Sequence, residues 1–250
     1  MNNVSIGKIT GIVIKEVKLK EADKIITIFS KEMGKVQLYA TRAQNIKSPF
    51  LAGTQLFTYA SFIYSSKNSI NFLNQISIIN GFEKIKFDIE KIYYAMYFLE
   101  FLDKSVELEY PGKMMFEFIV NTLYTLDGAK EDVKLIRAIY ELKMISLLGY
   151  TPEVTSCVKC DKEIEGDNYH FSFEDCGLLC EKCIEPIDKA IKLNKTTVYA
   201  MQYIIYIELN KIFLFTLTPE ILKELRLVID GLIKININQS FRTLDFLNEI

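Results

Sequence analysis

The chain of 250 residues is poor in the groups on which most enzymes depend, beginning with a single histidine, His170. One imidazole is too few for a convincing Ser-His-Asp triad or Cys-His pair. The sequence also lacks the glycine-rich loops that cradle the phosphates of ATP or of a dinucleotide. Glu21 and Asp23 lie among lysines and are interpreted as a solvated turn, not as a catalytic carboxylate pair. We therefore expect a binding protein, not an enzyme, without a small-molecule substrate.

Long apolar runs are absent as well. The longest stretches, such as Tyr203–Ile207, are far shorter than the roughly 20 residues that cross a bilayer. The N-terminus Met1–Gly7 lacks the charged region and apolar run of a secretory signal. With half of its residues hydrophobic, the chain can nevertheless bury a large core. These features favour a soluble, cytoplasmic protein with no membrane partner.

Four of the five cysteines form two Cys-x-x-Cys pairs, Cys157 with Cys160 and Cys180 with Cys183. The separation of the pairs is within the range of four-thiolate zinc sites. Two such turns complete a tetrahedron around one Zn²⁺ ion and leave no open coordination position. The metal would therefore fold a module instead of activating water. We predict one structural zinc ion per chain.

Other interpretations of these residues are weaker. A disulfide framework suits small secreted chains, and a thioredoxin-like site needs one pair in a βαβ unit, not two matched pairs. Cys176 is interpreted as a small buried or loop residue, with a role as a substitute ligand left open. His170 lies in an apolar alternation and is assigned to a strand between the two pairs, not to the ligand set.

The small net charge of −2 hides an asymmetry along the chain. Residues 1–82 contain ten basic and four acidic residues, whereas the remaining 168 contain twenty and twenty-eight. The first part therefore carries +6 and the second −8. Such a division indicates a basic face that meets a polyanion, attached to an acidic body. Lysines that merely solubilise strands are the alternative.

The period of the apolar residues changes near residue 83. Before it, short β-branched and alternating runs at 9–14, 24–30, 36–40, 56–64 and 70–79 predict a small barrel or sandwich, with Gly34 in a turn. After it, spacings of three and four predict helices. One begins at about residue 83 with Ile89 inward, and another runs from Asp132 to Leu148 with Gly149 as its cap and with Leu135, Ile139, Leu142 and Ile145 inward. A further helix begins at Thr218-Pro219. We predict an α+β fold with three parts: residues 1–82, a helical part at 83–152 and 186–250, and the four-cysteine module at 153–185.

A five-stranded barrel of the OB type offers a groove in which cations follow phosphates and aromatic rings stack on bases. The candidate DNA-binding residues are Lys15, Lys18, Lys20, Lys24, Lys35, Tyr39, Arg42 and Lys47. Further rings that could stack are Phe50, Phe57, Tyr59, Phe62 and Tyr64, about half of which an alternating strand would turn inward.

Several segments together resemble the RecO family of bacterial recombination mediators over nearly the whole chain. They are Gly11–Ile14, Glu21–Lys35, Lys47–Ser48 ahead of Gln55–Phe57, Leu147–Glu153 before the first cysteine pair, and Phe171–Phe173 followed by Gly177–Cys180. The resemblance implies an N-terminal OB fold, a helical body and a four-cysteine zinc module. It also implies binding of single- and double-stranded DNA in the nucleoid and annealing of complementary strands. The resemblance further implies that the protein acts with RecR to replace single-strand DNA-binding protein (SSB) by RecA.

The chain departs from the family pattern at two places. Where members usually carry Lys-Gly-Ala-Arg, this sequence has Thr41-Arg42-Ala43-Gln44, so Arg42 replaces a glycine. Cys176 stands in the place of another glycine, before the second cysteine pair. A scaffold whose acidic body recruits partner proteins, with little DNA affinity, is the alternative function.

Overall fold

The computed structural model describes residues 5–107, 112–129, 132–164, 166–186, 189–237 and 239–247. It divides into two compact units, Met1–Ala129 with Phe241–Ile250, and Lys130–Ser240. The three-part division expected from the sequence stays a prediction. Among the described residues, none of the helices has the length and apolar character needed to cross a membrane.

Five strands form a closed barrel in the first unit. They are β1 (Ser5–Lys18), β2 (Lys24–Ser30), β3 (Gly34–Ala40), β4 (Tyr59–Lys67) and β5 (Ile70–Asn80), in the spatial order β1-β2-β3-β5-β4. Neighbouring strands are antiparallel, except that β3 and β5 meet in parallel at Tyr39 and Phe72. This five-stranded barrel confirms the predicted OB-type fold.

The barrel closes because alternating side chains fill its interior. Along β4, Ala60, Phe62 and Tyr64 point inward between half-exposed neighbours, and Ile26 and Ile28 of β2 meet them in one cluster. This period of two is what a strand with one buried face requires. Gly34 has a φ of 64°, as its predicted turn requires.

Two helices cover the outer face of the barrel in the same unit: α2 (Ile89–Ser105) contacts β1, and α3 (Lys113–Gly128) contacts β2. Helix α1 (Glu83–Lys86) packs on α2 and α3, and α7 (Arg242–Leu247), from the C-terminal segment, packs on α2. Phe29 projects outward from β2 and contacts Phe116 of α3, with ring centroids 6.4 Å apart. Because this face is covered, β2 is buried on both sides and does not show a clean alternation.

The side chain of Glu100 on α2 holds the start of α7. It accepts hydrogen bonds from the backbone N–H of Arg242 at 3.1 Å and of Thr243 at 2.9 Å, and Lys104 lies 2.7 Å away. Burial alone would raise the pKa of Glu100, but the bonds from Lys104, Thr243 and Arg242 outweigh it and lower the pKa from 4.5 to about 2. Ionised Glu100 therefore anchors the C-terminal helix.

We expect Glu100→Gln to lower the free energy of unfolding at neutral pH by about 1–2 kcal/mol, because a charged acceptor of several bonds is lost. A carboxylate with a depressed pKa stabilises the fold above its unfolded pKa of 4.5, and this contribution disappears as the pH falls toward about 2. Urea unfolding should show that the free energy of unfolding decreases less between neutral pH and pH 2 in the variant than in the wild type. Glu90→Gln, at an exposed position of the same helix, is the control. Equal stability of Glu100→Gln and wild type would contradict the assignment.

The second unit contains helices and a small sheet. Its elements are α4 (Val133–Leu147), β6 (Tyr169–Ser172), β7 (Gly177–Leu179), β8 (Ala190–Leu193), α5 (Lys195–Tyr206) and α6 (Pro219–Asn236), with the strands in the order β7-β6-β8. Asp132 caps α4, and Thr218 caps α6 with Pro219 in the first turn. The predicted helix start at Thr218-Pro219 is thus confirmed.

Helix α5 is fixed at both its middle and its end within this unit. The Gln202 side chain donates to the carbonyl of Val154 at 2.6 Å, which ties the helix to the segment before Cys157. The buried Lys143 of α4 donates to the carbonyl of Ile205 at 2.6 Å and satisfies the helix end. The exposed face of α5 therefore has a fixed position beside the cysteine segment.

Candidate nucleic-acid interface and metal centre

Two loops at one end of the barrel are joined by hydrogen bonds. The backbone N–H of Gln44, after β3, donates to the carbonyl of Ala22, between β1 and β2, at 2.9 Å. The Gln44 side chain adds bonds to the carbonyls of Leu19 at 3.0 Å and Asp23 at 2.7 Å. The segments 18–23 and 41–48 therefore form one continuous surface, which we call the loop end of the barrel.

Asp23 fixes the shape of this surface. Its carboxylate is only 8% exposed and accepts from the backbone N–H of Arg42 at 2.6 Å and from the hydroxyl of Tyr39. The N–H of Arg42, and then the Tyr39 hydroxyl, lower the pKa of Asp23. The interpretation of Glu21 and Asp23 as a solvated turn is therefore wrong for Asp23, because its carboxylate oxygens accept hydrogen bonds from these two protein groups instead of from water.

The same contacts hold Arg42 in a left-handed conformation, with φ of 53°. This conformation is unfavourable for residues with a Cβ atom, and glycine is the usual occupant. It accounts for the glycine that the RecO pattern has at this place. The bond from the Arg42 N–H to Asp23 helps to hold the strained residue, whose side chain is exposed at the loop end.

The candidate cations separate into two groups. Four are exposed at the loop end, namely Lys18, Lys20, Arg42 and Lys47. The other three have carboxylate partners. Lys24 is buried and 2.6 Å from Glu16, whereas Lys15 and Lys35 lie 3.2 and 3.3 Å from the carboxylate of Asp103 on α2. Paired cations contribute less to the potential at the surface, so the exposed four are the stronger candidates.

A cleft of about 420 Å³ opens beside these cations. It is lined by Glu16, Lys18, Lys24, Gln44, Leu51, Gln55, Leu56, Phe57 and Lys86. Lys86 adds a cation that the sequence did not suggest, because it lies on α1, just outside the barrel. Its Nζ donates to Gln55 at 3.3 Å and pairs with Glu83 at 3.2 Å.

The aromatic residues of the barrel do not form an exposed stacking surface. Phe57, Phe62 and Tyr64 are buried, and the ring of Tyr59 contacts that of Phe116. Phe50 packs against the barrel core. Tyr39 is half-buried, with its ring 5.6 Å from that of Phe72 and its hydroxyl on Asp23. The contacts of Tyr39 thus position Arg42, and the loop end presents cations without exposed rings among these candidates.

The two cysteine pairs form a separate cluster in the second unit. Each pair closes a tight turn, in which the backbone N–H of Cys160 and of Cys183 donates to the carbonyl of the first cysteine of its pair, at 3.3 and 3.0 Å. The four Sγ atoms lie within 4.8 Å of one another. The structure thus brings together the four residues proposed as ligands.

The cluster fits a tetrahedral metal ion. Four Zn–S bonds of about 2.3 Å place the sulfurs about 3.8 Å apart, and the Sγ atoms of Cys160 and Cys180 are separated by 3.9 Å. Burial would raise the pKa of Cys157, but N–H donors from Cys180, Lys159 and Cys160 lower it to about 6. Bonds to Cys180 and Cys160 raise the pKa of Cys183 to about 12. Four thiolates this close require a cation to offset their repulsion.

The remaining candidates near the cluster are not members of it among the described residues. His170 lies on β6 opposite Leu179 and Lys192, as predicted for a strand residue. Cys176 lies in the turn before β7 with φ of 53°, and burial raises the pKa of its thiol. Its left-handed backbone accounts for the glycine that the RecO pattern has there.

Comparison with known proteins gives matches along both units. The family model Recombination protein O N terminal matches residues 1–82, and Recombination protein O C terminal matches residues 86–245. DNA repair protein RecO of Acetivibrio thermocellus is 33% identical, covering 97% of this chain and 96% of that protein. The proteins of the same name from Caldicellulosiruptor saccharolyticus and Bacillus subtilis are 29% and 32% identical, covering 96% and 89% of this chain and 96% and 86% of those proteins.

Proposed function

The chain belongs to the RecO family of DNA repair proteins, and from this membership we propose that it is a non-catalytic recombination mediator that holds DNA at its barrel. The observation that carries the proposal is the loop end, where Lys18, Lys20, Arg42 and Lys47 are exposed on two joined loops. Contacts of this kind bind phosphates without reading bases. Single- and double-stranded DNA would both be ligands.

The proposed mechanism is electrostatic. Two complementary strands repel each other through their phosphates, and cations that neutralise part of this charge allow them to approach. Because the cations bind backbone and leave the base edges free, the strands can pair while they are held. The fixed backbone around Asp23 and Arg42 keeps one guanidinium ready for such contacts. Annealing of complementary strands follows without a change in any covalent bond.

The partners of the mediator are proposed from the family resemblance. They are RecR, SSB and the RecA filament that replaces SSB on single strands. We place this work in the cytoplasm, on the nucleoid, where these partners and the DNA are found. The proposed assignment of domains is residues 1–82 for DNA, residues 83–152 and 186–250 for the helical body, and residues 153–185 for the cysteine module.

For the cysteine module we propose one structural Zn²⁺ ion, held by Cys157, Cys160, Cys180 and Cys183. Thiolate ligands favour zinc over hard ions such as Mg²⁺ and Ca²⁺, and four of them leave no position for a reacting water. Without the ion, the short strands of this segment would have only a small core to hold them. The metal would thus supply folding energy and not chemistry.

A scaffold with little DNA affinity is the second candidate function. It is favoured by the formal charge of −8 on the residues after 82, which repels DNA and suits protein partners. In that case the chain would bind RecR and SSB, and its barrel would not bind DNA. Pull-down with both proteins, beside DNA binding by the full chain, separates the two candidates.

Binding of a labelled single-stranded oligonucleotide at two salt concentrations tests the proposed function. We expect tight binding at low salt and a steep loss as salt rises, because each phosphate contact releases counterions. Two oligonucleotides of equal length and different sequence should bind alike, and complementary strands should anneal faster with the protein than without it. No binding at low salt would refute the mediator and leave the scaffold.

A further inference from the structure

A second cleft lies wholly within the unit Lys130–Ser240, between helix α5 and the cysteine segment. It measures about 440 Å³, and its lining includes Glu163, Tyr169, Lys195, Tyr199, Gln202 and Tyr206. Nothing in the proposed handling of DNA uses these residues. Their chemistry differs from that of the loop end, because aromatic and acidic groups replace the exposed cations.

Helix α5 presents one face to this cleft. Lys195, Tyr199, Gln202 and Tyr206 follow at spacings of four, three and four, which places them along a single side of the helix. Tyr199 is 50% and Tyr206 58% exposed, whereas Tyr169, which also lines the cleft, is buried. The bond from Gln202 to Val154 holds this face against the segment that contains Glu163.

The segment that forms the wall opposite the helix is acidic in composition. Residues 153–185 contain nine acidic and three basic residues, a formal charge of −6. Glu163 lines the cleft. Burial and, to a smaller extent, the negative charge of Glu153 raise the pKa of Tyr206. Glu153 therefore adds negative potential at the Tyr206 side of the cleft. Hydrogen bonds from Thr155 and Ser156 lower the pKa of Glu153, which keeps it ionised.

The chain itself already places one cation in this environment. The Nζ of Lys195 lies 5.6 Å from the centroid of the Tyr199 ring and 3.2 Å from the carboxylate of Asp167. An ammonium over an aromatic face beside a carboxylate is the geometry of a cation–π site. Lys195 lies over the Tyr199 ring, whereas Tyr206, about two turns further along the same face of the helix, offers a second ring in the cleft that Glu163 also lines.

We infer that this cleft binds a lysine- or arginine-rich segment of a partner protein. The acidic wall attracts such a segment, and the exposed rings of Tyr199 and Tyr206 bind its cationic side chains. The same charge disfavours a nucleic acid, although tyrosines alone could stack on bases. The inference is independent of DNA binding at the loop end, which involves other residues in the other unit.

Fluorescence anisotropy with a labelled oligoarginine peptide and the full-length protein tests the inference. Tyr199→Ala and Tyr206→Ala should each weaken peptide binding about 3- to 10-fold, the effect of losing one partly desolvated cation–π contact. Tyr199→Phe and Tyr206→Phe should keep most of the affinity, because the ring remains. Both positions are at least half exposed, so the variants should fold. Tyr150→Ala, another exposed tyrosine of the same unit, is the matched control and should bind like wild type.

Lys195→Met provides a change of opposite sign. It removes a like charge and uncovers the Tyr199 ring, so peptide binding should become about threefold tighter. Equal losses in Tyr150→Ala and the cleft variants would show that the rings of the cleft have no special role and would overturn the inference. No loss in the cleft variants would leave only diffuse charge attraction and would overturn it too. A loss of oligonucleotide affinity in Tyr199→Ala or Tyr206→Ala would assign the cleft to nucleic acid and overturn it as well. Unchanged DNA binding with weakened peptide binding supports it, whatever the loop-end variants show.

Discussion

Replacing Cys157 by serine is expected to abolish metal binding and unfold the segment between residues 153 and 185. Zinc modules of four ligands derive about 10–16 kcal/mol of apparent binding free energy from the ion, and much of it appears as folding energy. Serine is a poor zinc ligand, and Cys157 is buried, so water cannot easily take its place. The zinc content measured by elemental analysis should fall from about one ion per chain to nearly none. Proteolysis within the segment should become faster.

Cys176→Ser is the matched control for this experiment. Cys176 is the fifth cysteine and lies outside the cluster of the other four, so its replacement should leave the metal content unchanged. A wild-type protein that carries no metal after gentle purification would contradict the proposed site. Metal loss in Cys176→Ser with retention in Cys157→Ser would show that the ligand set is wrong.

The double change Arg42→Ala with Lys47→Ala is expected to reduce affinity for single-stranded DNA about tenfold at low salt. Each phosphate contact with a single strand contributes about 0.7 to the slope of log affinity against log salt. Losing two contacts should therefore lower the slope by about 1.4. Both side chains are exposed on the segment 41–48, so the free energy of unfolding should hardly change. Anisotropy titrations at several salt concentrations give both quantities.

Lys8→Ala with Lys67→Ala is the control of equal charge. Both lysines are exposed, and Lys8 is separated from Lys18 by about 30 Å of the strand β1. Binding that depends on the loop end should lose little in this variant. If both double variants weakened binding equally, general charge would govern affinity, and the loop end would have no special role.

The sequence predicted those elements whose local signals agree with their packing. Leu135, Ile139, Leu142 and Ile145 are buried on α4 as their spacing indicated, and Gly149 ends that helix with φ of 94°. The OB-type barrel and the spacing of the cysteine pairs were recognisable for the same reason. A thiolate pair in a tight turn is a local pattern, which one stretch of sequence contains completely.

The buried face of the helical region that follows the barrel was less predictable. The spacing predicted one helix from about residue 83 with Ile89 inward, but the structure has α1 and α2, and Ile89 is exposed. Tyr94, Tyr97 and Phe98 are buried instead. Tyr97 packs against Phe241, more than a hundred residues away, and a local pattern cannot show such a contact.

The DNA-binding candidates show the same limit. Composition marks Lys15, Lys24 and Lys35 as basic residues of the barrel, but their carboxylate partners on α2 and β1 are visible only in the fold. Lys86 was missed because the barrel pattern ends before it. The two replaced glycines were informative, since Arg42 and Cys176 have the left-handed backbone that the family pattern implies.

Lysine acetylation with and without a bound oligonucleotide, read by mass spectrometry, tests most directly where DNA lies on this protein. We expect the oligonucleotide to protect Lys18, Lys20 and Lys47 at the loop end. Lys8 and Lys67, which are exposed on β1 and β4 outside the loop end, should react at unchanged rates. Protection of Lys8 and Lys67 with free reaction at the loop end would contradict the account.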